Sequence, residues 1–509
     1  MGLGYRQILK SITHSIGNKA YRKKLKRNPS MFSTLGKLCE KVGIDTENFD
    51  EQVKSKLNTT VSYVCRYGDR FTENCICVQL YDDTDDIMKK AMAEGALVCL
   101  TDHKIDSVPC IVVENTAVTY ADMCSIYRDM ANIKTTVVVG SIGKTTAKKM
   151  VEAVYSKGFN TLCDSGNDNI LDSIGSISQH IPENAEQYIA EISEDTPGLI
   201  AEMSKITKPE IAIITTIDKS HIEFYGSEEN IFNEFRSVTK YMREDGVCII
   251  CNDGENAENL IKDKKVVYVS AKGNDADFMA TDIKVTNEGL NFNVLEKSTG
   301  NCYPVKLINS FALHNVTSAL YAFAAGVVSG IDYDKIVEGL GCYRATGIRQ
   351  NIYKSGSNVV YADCYNAVAK SVRSAVNASC DIPIKGKRIA VLGDIAEAGD
   401  YTESTHLEIV DIVNNSTFDV LLTYGVELRK AIANSEMRDN LTVLTFDNQK
   451  DMNKAIKQQV EKGDLVLFKA SHSGKLKDSI AATFPLAYLY QSIKYYTPRV
   501  KWHFKVIMN

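Results

Sequence analysis

Several absences narrow this 509-residue chain before any motif is read. No uninterrupted apolar run reaches the ~18 residues that a membrane-crossing helix needs. The basic N-terminus lacks a compact apolar core and a small-residue cleavage site, so no signal peptide is expected. Cysteine is plentiful, at 14 residues, but a pairing pattern is missing. Cys248 and Cys251 have the spacing of half a zinc site, yet they lie inside an apolar run and no second pair answers them. Neither a zinc site nor a disulfide framework is suggested, and free thiols in a reducing cytosol are the expectation. A positive excess is also missing. The formal net charge of −5 argues against a general nucleic-acid binder. Low-complexity linkers and internal repeats are absent as well.

What is there reads as a globular chain of about three domains, on a prior of ~150 residues each. Its charge is unevenly placed. Residues 1–30 carry Arg6, Lys10, Lys19, Arg22, Lys23, Lys24, Lys26 and Arg27 without one acid. The tail carries Lys494, Arg499, Lys501 and Lys505 among Tyr495, Tyr496, Trp502 and Phe504. Basic residues beside aromatics suit a weak contact with an anionic membrane surface. Two solvated ends packed on the body of the protein are the plainer alternative.

Four segments follow from the patterning. Residues 1–50 form a basic N-terminal extension with helical character. Residues 51–134 read as a small α/β domain, with short strands such as Cys75–Leu80, Ala96–Leu100 and Cys110–Val113 around a helix near Asp86–Gly95. Residues 135–343 form a central domain of alternating strands and helices. Its strands include Ile211–Thr216, Gly246–Cys251 and Val266–Val269, hairpins are expected over Asp277–Lys306, and a helix over Asn315–Ser329. Residues 344–509 again alternate, through Val359–Tyr361, Arg388–Leu392, Val420–Thr423, Thr442–Phe446 and Leu465–Phe468, and end in the basic aromatic tail. Strands alternating with helices imply an α/β fold with mostly parallel sheets.

The most informative stretch is Gly140-Ser141-Ile142-Gly143-Lys144-Thr145-Thr146, between the apolar run Val137–Val139 and a helical pattern starting near Ala147. Strand, glycine turn, Gly-Lys-Thr and helix come in the order a phosphate-binding loop requires. Glycines let the backbone close around phosphate oxygens, and the loop's amide N–H groups and the positive end of the next helix then face the anion. Lys144 can reach the outer phosphates, and the Thr145 hydroxyl can ligate Mg²⁺. The strict pattern also asks for a glycine where this chain has Val138. An ordinary strand-to-helix turn with a solvated Lys144 is the alternative. Elsewhere, Glu191 ends the apolar run from Tyr188, and His221 and Glu223 follow the run Ile211–Ile214. One carboxylate and one imidazole after neighbouring strands can complete a metal shell, although Mg²⁺ prefers oxygen and the histidine suits a second, softer site. Taken alone, His221 reads as a surface or capping histidine.

Residues 135–478 resemble the Mur ligases, ATP-dependent amide-bond-forming enzymes of cell-wall precursor synthesis. The likeness rests on blocks in order: the loop 140–146; Glu191-Ile192-Ser193 with Pro197-Gly198; His221-Ile222-Glu223 with Gly226-Ser227; His314-Asn315; Thr346-Gly347-Ile348-Arg349; Asp363-Cys364-Tyr365-Asn366-Ala367; Val391-Leu392-Gly393-Asp394 with Glu397, Gly399 and His406; and Phe468-Lys469-Ala470-Ser471. The resemblance implies a three-domain architecture: an acceptor-binding domain, a central P-loop ATPase domain and a C-terminal Rossmann-like domain for the incoming amine. It implies ATP and Mg²⁺ as cofactors and small-molecule substrates, namely a nucleotide-sugar peptide or related carboxylate and an amino acid or dipeptide. Peptidoglycan biosynthesis in the cytoplasm is the implied setting, with D-alanyl-D-alanine joined to a UDP-N-acetylmuramoyl-peptide through an acyl phosphate. By the same carry-over, Lys144 and His221 are catalytic. Gly140, Ser141, Gly143, Lys144, Thr145, Thr146, Asn315, Arg349 and Asp363 hold the nucleotide. Thr145 and Glu191 hold one metal ion and His221 a second.

The chain also departs from that pattern. Where most of the family has a lysine that is carbamylated and helps hold the second Mg²⁺, this chain has Phe235. Glu234 and Arg236 flank it but point elsewhere on a helix, about 100° around. Ser193 replaces a glycine, Val368-Ala369 replaces Asn-Pro, and His472 stands where arginine is common. Val61-Ser62-Tyr63-Val64-Cys65-Arg66 only shadows the Val-Ser-x-Asp-Ser-Arg segment that recognises the UDP-sugar. Three readings follow: a ligase acting on UDP-muramoyl-peptide, a paralogous ligase acting on another carboxylate such as a surface-glycan precursor, and an ATP-binding scaffold without turnover.

Overall fold

A computed structural model describes residues 33–488, apart from 69–71, 132, 165–167, 218–224, 255–256, 287, 346, 366, 397–398, 472–473 and 486. The chain divides into two compact units, one of residues 1–269 and 321–336, the other of residues 270–320 and 337–509.

The first unit opens with a four-stranded parallel sheet in the order β1 (Val64–Arg66), β2 (Ile76–Val78), β3 (Val98–Thr101), β4 (Cys110–Val112). The strands are short and apolar, and helix α1 (Asp85–Ala93) crosses from β2 to β3. Register places Cys65 beside Cys77, Cys77 beside Cys99, and Cys99 beside Cys110. These four, with Cys75, are buried in one core with Met88 and Ala91 of α1. Here sulfur fills a seam that branched aliphatics usually fill. No disulfide joins the described cysteines.

A larger parallel sheet follows. Within this unit its order is β10 (Lys265–Ser270), β9 (Val247–Cys251), β8 (Ile211–Ile214), β5 (Lys134–Val139), β7 (Gln187–Glu191), β6 (Thr161–Cys163). The central strands read as near-continuous β-branched runs because helices cover both faces. β5 is buried along all but its first residue. Helices α2 (Thr116–Met130) and α4 (Leu171–Ser178) join the two sheets. Tyr120, Cys124, Tyr127, Ile174 and Ile177 from these helices share one core with Val64, Ile76 and Val98 of the small sheet and with Val137 and Tyr188 of the large one. Polar ties reinforce that core. The Gln179 amide pairs with both backbone groups of Val64, at 3.0 and 2.8 Å. The Tyr63 hydroxyl lies 2.8 Å from Ser176 Oγ and 3.0 Å from His180 Nδ1.

The second unit holds an antiparallel meander, β11 (Phe278–Thr286), β12 (Gly289–Glu296) and β13 (Cys302–Ile308), which meets the hairpin expectation. It also holds a six-stranded sheet in the order β14 (Asn351–Ser355), β15 (Asn358–Asp363), β19 (Leu465–Lys469), β16 (Arg388–Gly393), β17 (Val420–Tyr424), β18 (Thr442–Phe446). Only the β14–β15 pair is antiparallel. β19 inserts between β15 and β16, so the connection from β15 to β16 crosses over it.

Candidate nucleotide and metal site

The loop after β5 has the expected form. Helix α3 (Lys144–Tyr155) starts at the motif's lysine, three residues before the periodicity suggested. Gly143, its N-cap, has φ +91°, in the region that favours glycine. Gly140 has φ +132°, and a Cβ there would lie 2.2 Å from Thr215 Oγ1 at the end of β8. Both glycines therefore have a steric reason.

The loop amides divide into two groups. Ser141 and Ile142 both donate to the Thr216 carbonyl, at 3.0 and 3.2 Å, and tie the loop to the strand beside it. This differs from an anion-facing loop backbone at these positions. The first helical bond is from the Ala147 N–H to the Gly143 carbonyl, 2.9 Å. The amides from Gly143 to Thr146 thus lie ahead of any intrahelical acceptor, at the positive end of α3.

Lys144 does not extend into solvent. Its ammonium donates to the Gly140 carbonyl at 2.5 Å and to Glu194 Oε2 at 2.6 Å. The two side chains are 14% and 4% exposed. Glu194 is fixed in turn, since its backbone carbonyl accepts the Tyr225 hydroxyl at 2.6 Å. Nothing in the sequence pattern marked this partner, fifty residues downstream.

Glu191 stands at the carboxyl end of β7, next to the loop strand β5. Its Oε1 accepts from the Thr145 hydroxyl and from Asn169 Nδ2, each at 3.1 Å. Hydroxyl and carboxylate are hard oxygen donors of the kind Mg²⁺ selects, and they already face each other at the amino end of α3. The residues present therefore fit the ion. Glu191 Oε2 faces Lys148 Nζ at 3.0 Å. Lys148 lies one turn beyond Lys144 and is fully buried. Asp164 shares its site, 3.9 Å from the ammonium, and accepts the Glu191 N–H at 2.6 Å. Burial alone would lower the Lys148 pKa, but the Glu191 and Asp164 carboxylates outweigh it and hold the ammonium above its ordinary value. Burial pushes the Asp164 carboxyl up to about 7, against the opposing pull of Lys148. Sequence reasoning missed both residues, because Lys148-Lys149 reads as a solvated pair on a helix.

Phe235 lies in α6 (Glu228–Arg236) and is fully buried in the core. Its neighbour Glu234 caps helix α5 (Leu199–Thr207), accepting the Gly198 and Ile200 N–H groups at 2.8 and 3.1 Å. Arg236 bonds the Leu260 carbonyl and Glu229. Both flanking side chains thus have structural partners. His221 and Glu223 lie outside the described residues, as does His472.

In the second unit, Asp363 ends β15 and pairs with Lys469, which ends β19, at 2.9 Å. Its other oxygen accepts the Gln350 N–H at 3.1 Å. The Arg349 guanidinium stacks 3.3 Å from the centre of the Tyr365 ring. Asn315 is buried and donates to Ser310 Oγ at 2.8 Å, while its Oδ1 accepts no hydrogen bond among the described residues. A buried orphan acceptor is costly unless a ligand donor meets it. His314 lies between Ser374 Oγ and Gln350 Oε1, at 2.8 and 3.0 Å. Loss of hydration lowers its pKa, against the opposing hydrogen bond to Gln350. His406, from the Val391–Asp394 block, is buried. Its Nε2 accepts the Ile395 N–H at 3.0 Å, so Nδ1 carries the proton and donates to the Thr402 carbonyl at 2.6 Å. That is a structural histidine.

Comparison with known proteins gives consistent results. The Mur ligase middle domain family matches residues 138–326, and the Mur ligase glutamate ligase domain matches residues 349–472. The UDP-N-acetylmuramoyl-tripeptide–D-alanyl-D-alanine ligase of Bacillus subtilis is 29% identical over 405 residues, spanning 78% of this chain and 87% of the relative. The Escherichia coli enzyme of the same name is 28% identical over 70% of this chain and 79% of its own length. Among solved structures, MurF from Acinetobacter baumannii has a TM-score of 0.75 at 20% identity, covering 89% of this chain and 99% of that one. A MurF ligase from Thermotoga maritima in complex with ADP has a TM-score of 0.72 at 19% identity, covering 87% and 100%.

Proposed function

The chain belongs to the Mur ligase family, and on that footing we propose that it joins D-alanyl-D-alanine to a UDP-N-acetylmuramoyl-peptide in peptidoglycan precursor synthesis. Family membership makes it an ATP-dependent ligase that uses Mg²⁺. The observation that carries the site is the amino end of α3, where Lys144, Thr145 and Glu191 meet beside two sterically required glycines.

In this proposal the loop from Gly140 to Thr146 binds the nucleotide phosphates, chiefly through the first-turn amides and Lys144. Thr145 and Glu191 would hold a Mg²⁺ ion, which when bound offsets charge on the phosphates. His221 is assigned a second ion, and Asn315, Arg349 and Asp363 the rest of the nucleotide. The chemistry follows from the substrates. A carboxylate is a poor acyl donor, so its oxygen attacks the γ-phosphorus and ADP leaves. The amine then attacks the acyl carbon, the tetrahedral intermediate collapses, and inorganic phosphate departs. Lys144 places positive charge where it builds on the transferred group, which is how a phosphoryl-transfer site accelerates. The division into segments 1–50, 51–134, 135–343 and 344–509 belongs to the same proposal. So do a cytoplasmic setting and weak membrane-surface contact by the basic termini. Among the described residues no helix is long and apolar enough to cross a membrane.

A second reading has its own observation. Phe235 leaves that helix position without a metal-ligating group, which favours a non-catalytic ATP-binding role. Phosphate release separates the readings. With Mg-ATP, UDP-N-acetylmuramoyl-tripeptide and D-alanyl-D-alanine, phosphate should appear only when all three are present, and Lys144→Ala should abolish it. Turnover unaffected by Lys144→Ala would overturn the site assignment. Nucleotide binding without turnover on any carboxylate would favour the scaffold.

A further inference from the structure

α3 carries two lysines one turn apart with opposite surroundings. Lys144 faces the loop and Glu194, whereas Lys148 points into the sheet, where its side chain has no solvent exposure. A buried lysine is retained only with compensating charge. Lys148 has two carboxylates within 4 Å, Glu191 at 3.0 Å and Asp164 at 3.9 Å. Its position makes it unsuited to touch a phosphate directly, since the Glu191 carboxylate stands between the ammonium and the Thr145 hydroxyl.

We propose that Lys148 is a positioning residue whose buried ammonium holds Oε2 of Glu191 and so aims Oε1 at the Thr145 hydroxyl, where the nucleotide's divalent cation would be held. The carboxylate is fixed from several directions. Lys148 holds one oxygen. Thr145 and Asn169 meet the other, and Asp164 fixes the backbone of the same residue through its N–H. Held through Oε2, the carboxylate turns Oε1 to the Thr145 side, where the metal would bind. Groups that orient a metal ligand from behind typically change metal affinity by about 10–100-fold when removed. Lys144 thus serves the phosphates and Lys148 the ligand of the ion that accompanies them. The inference rests on reading the loop as a nucleotide site, so the test separates the two.

The experiment titrates a fluorescent ADP analogue into the full-length protein, first without divalent cation and then across Mg²⁺ concentrations. For Lys148→Met, Mg²⁺-free affinity should stay within about twofold of wild type. The Mg²⁺ concentration that half-maximally tightens binding should rise at least about tenfold. Lys148→Arg, which keeps the charge, should recover most of that loss. Combining Lys148→Met with Glu191→Gln should cost no more Mg²⁺ response than Glu191→Gln alone, because the lysine acts through that carboxylate. If Lys148→Met does not fold, Lys148→Gln is titrated in its place. An unchanged Mg²⁺ response in a folded variant overturns the inference, as does equal loss with and without Mg²⁺, which would mark a purely structural lysine. Failure of the wild-type protein to bind the nucleotide at all would instead overturn the site reading.

Discussion

Replacing Glu194 with glutamine should tighten nucleotide binding. Lys144 donates to Glu194 Oε2 at 2.6 Å, between side chains 14% and 4% exposed. For the ammonium to meet a phosphate, that contact must be exchanged. A hydrogen bond between charged groups contributes about 1.5–3 kcal/mol. A neutral amide at the same place keeps roughly half of it. Glu194→Gln should therefore lower the cost of releasing Lys144 by about 1 kcal/mol, and a 1.4 kcal/mol change is tenfold in affinity. Isothermal titration of ADP without divalent cation should show roughly fivefold tighter binding. Glu194 also places a negative charge where the incoming phosphate is negative, so its removal helps from both sides. Unchanged or weaker affinity would refute the reasoning, and would mean that the carboxylate assists the nucleotide instead of competing with it.

Two further outcomes follow from other sites. Phe235→Lys, which restores the residue type usual in the family, should not create a metal ligand. It would place an unpaired ammonium in a closed apolar core and destabilise the fold by more than about 3 kcal/mol, measurable as a lowered urea midpoint. The pH dependence has a definite sign at His314. Its folded pKa is depressed, so below the unfolded value of about 6.5 the unfolded chain binds the extra proton. Stability should be fully present above that value and fall as pH drops through it toward the folded pKa. His314→Gln should flatten this part of the urea-midpoint profile, and an unchanged slope would count against it.

The frame of the molecule was legible because its signals are local. Val137–Val139 before two glycines and Gly-Lys-Thr placed β5, the loop and α3 within three residues. The β-rich stretch 277–306 became a three-stranded meander, and the alanine-rich pattern became the helix His314–Val328. Long-range pairings were not legible. Lys144 with Glu194, Lys148 with Glu191, and Asp363 with Lys469 join residues 50, 43 and 106 positions apart. Lys148 was hidden for a physical reason: periodicity assigns lysines to solvent, and only the two carboxylates from neighbouring strands make its burial tolerable. The loop amides of Ser141 and Ile142 were misjudged for a related reason. A motif does not reveal the carbonyl of the strand beside it, and Thr216 takes both.

The cysteine ladder of the small sheet gives that part of the chain its own clock. Five thiols lie shielded beneath a helix, and an alkylating reagent can reach them only when that cover lifts. The pace of their labelling, read by mass, therefore times how often this sheet breathes, without any probe having been introduced.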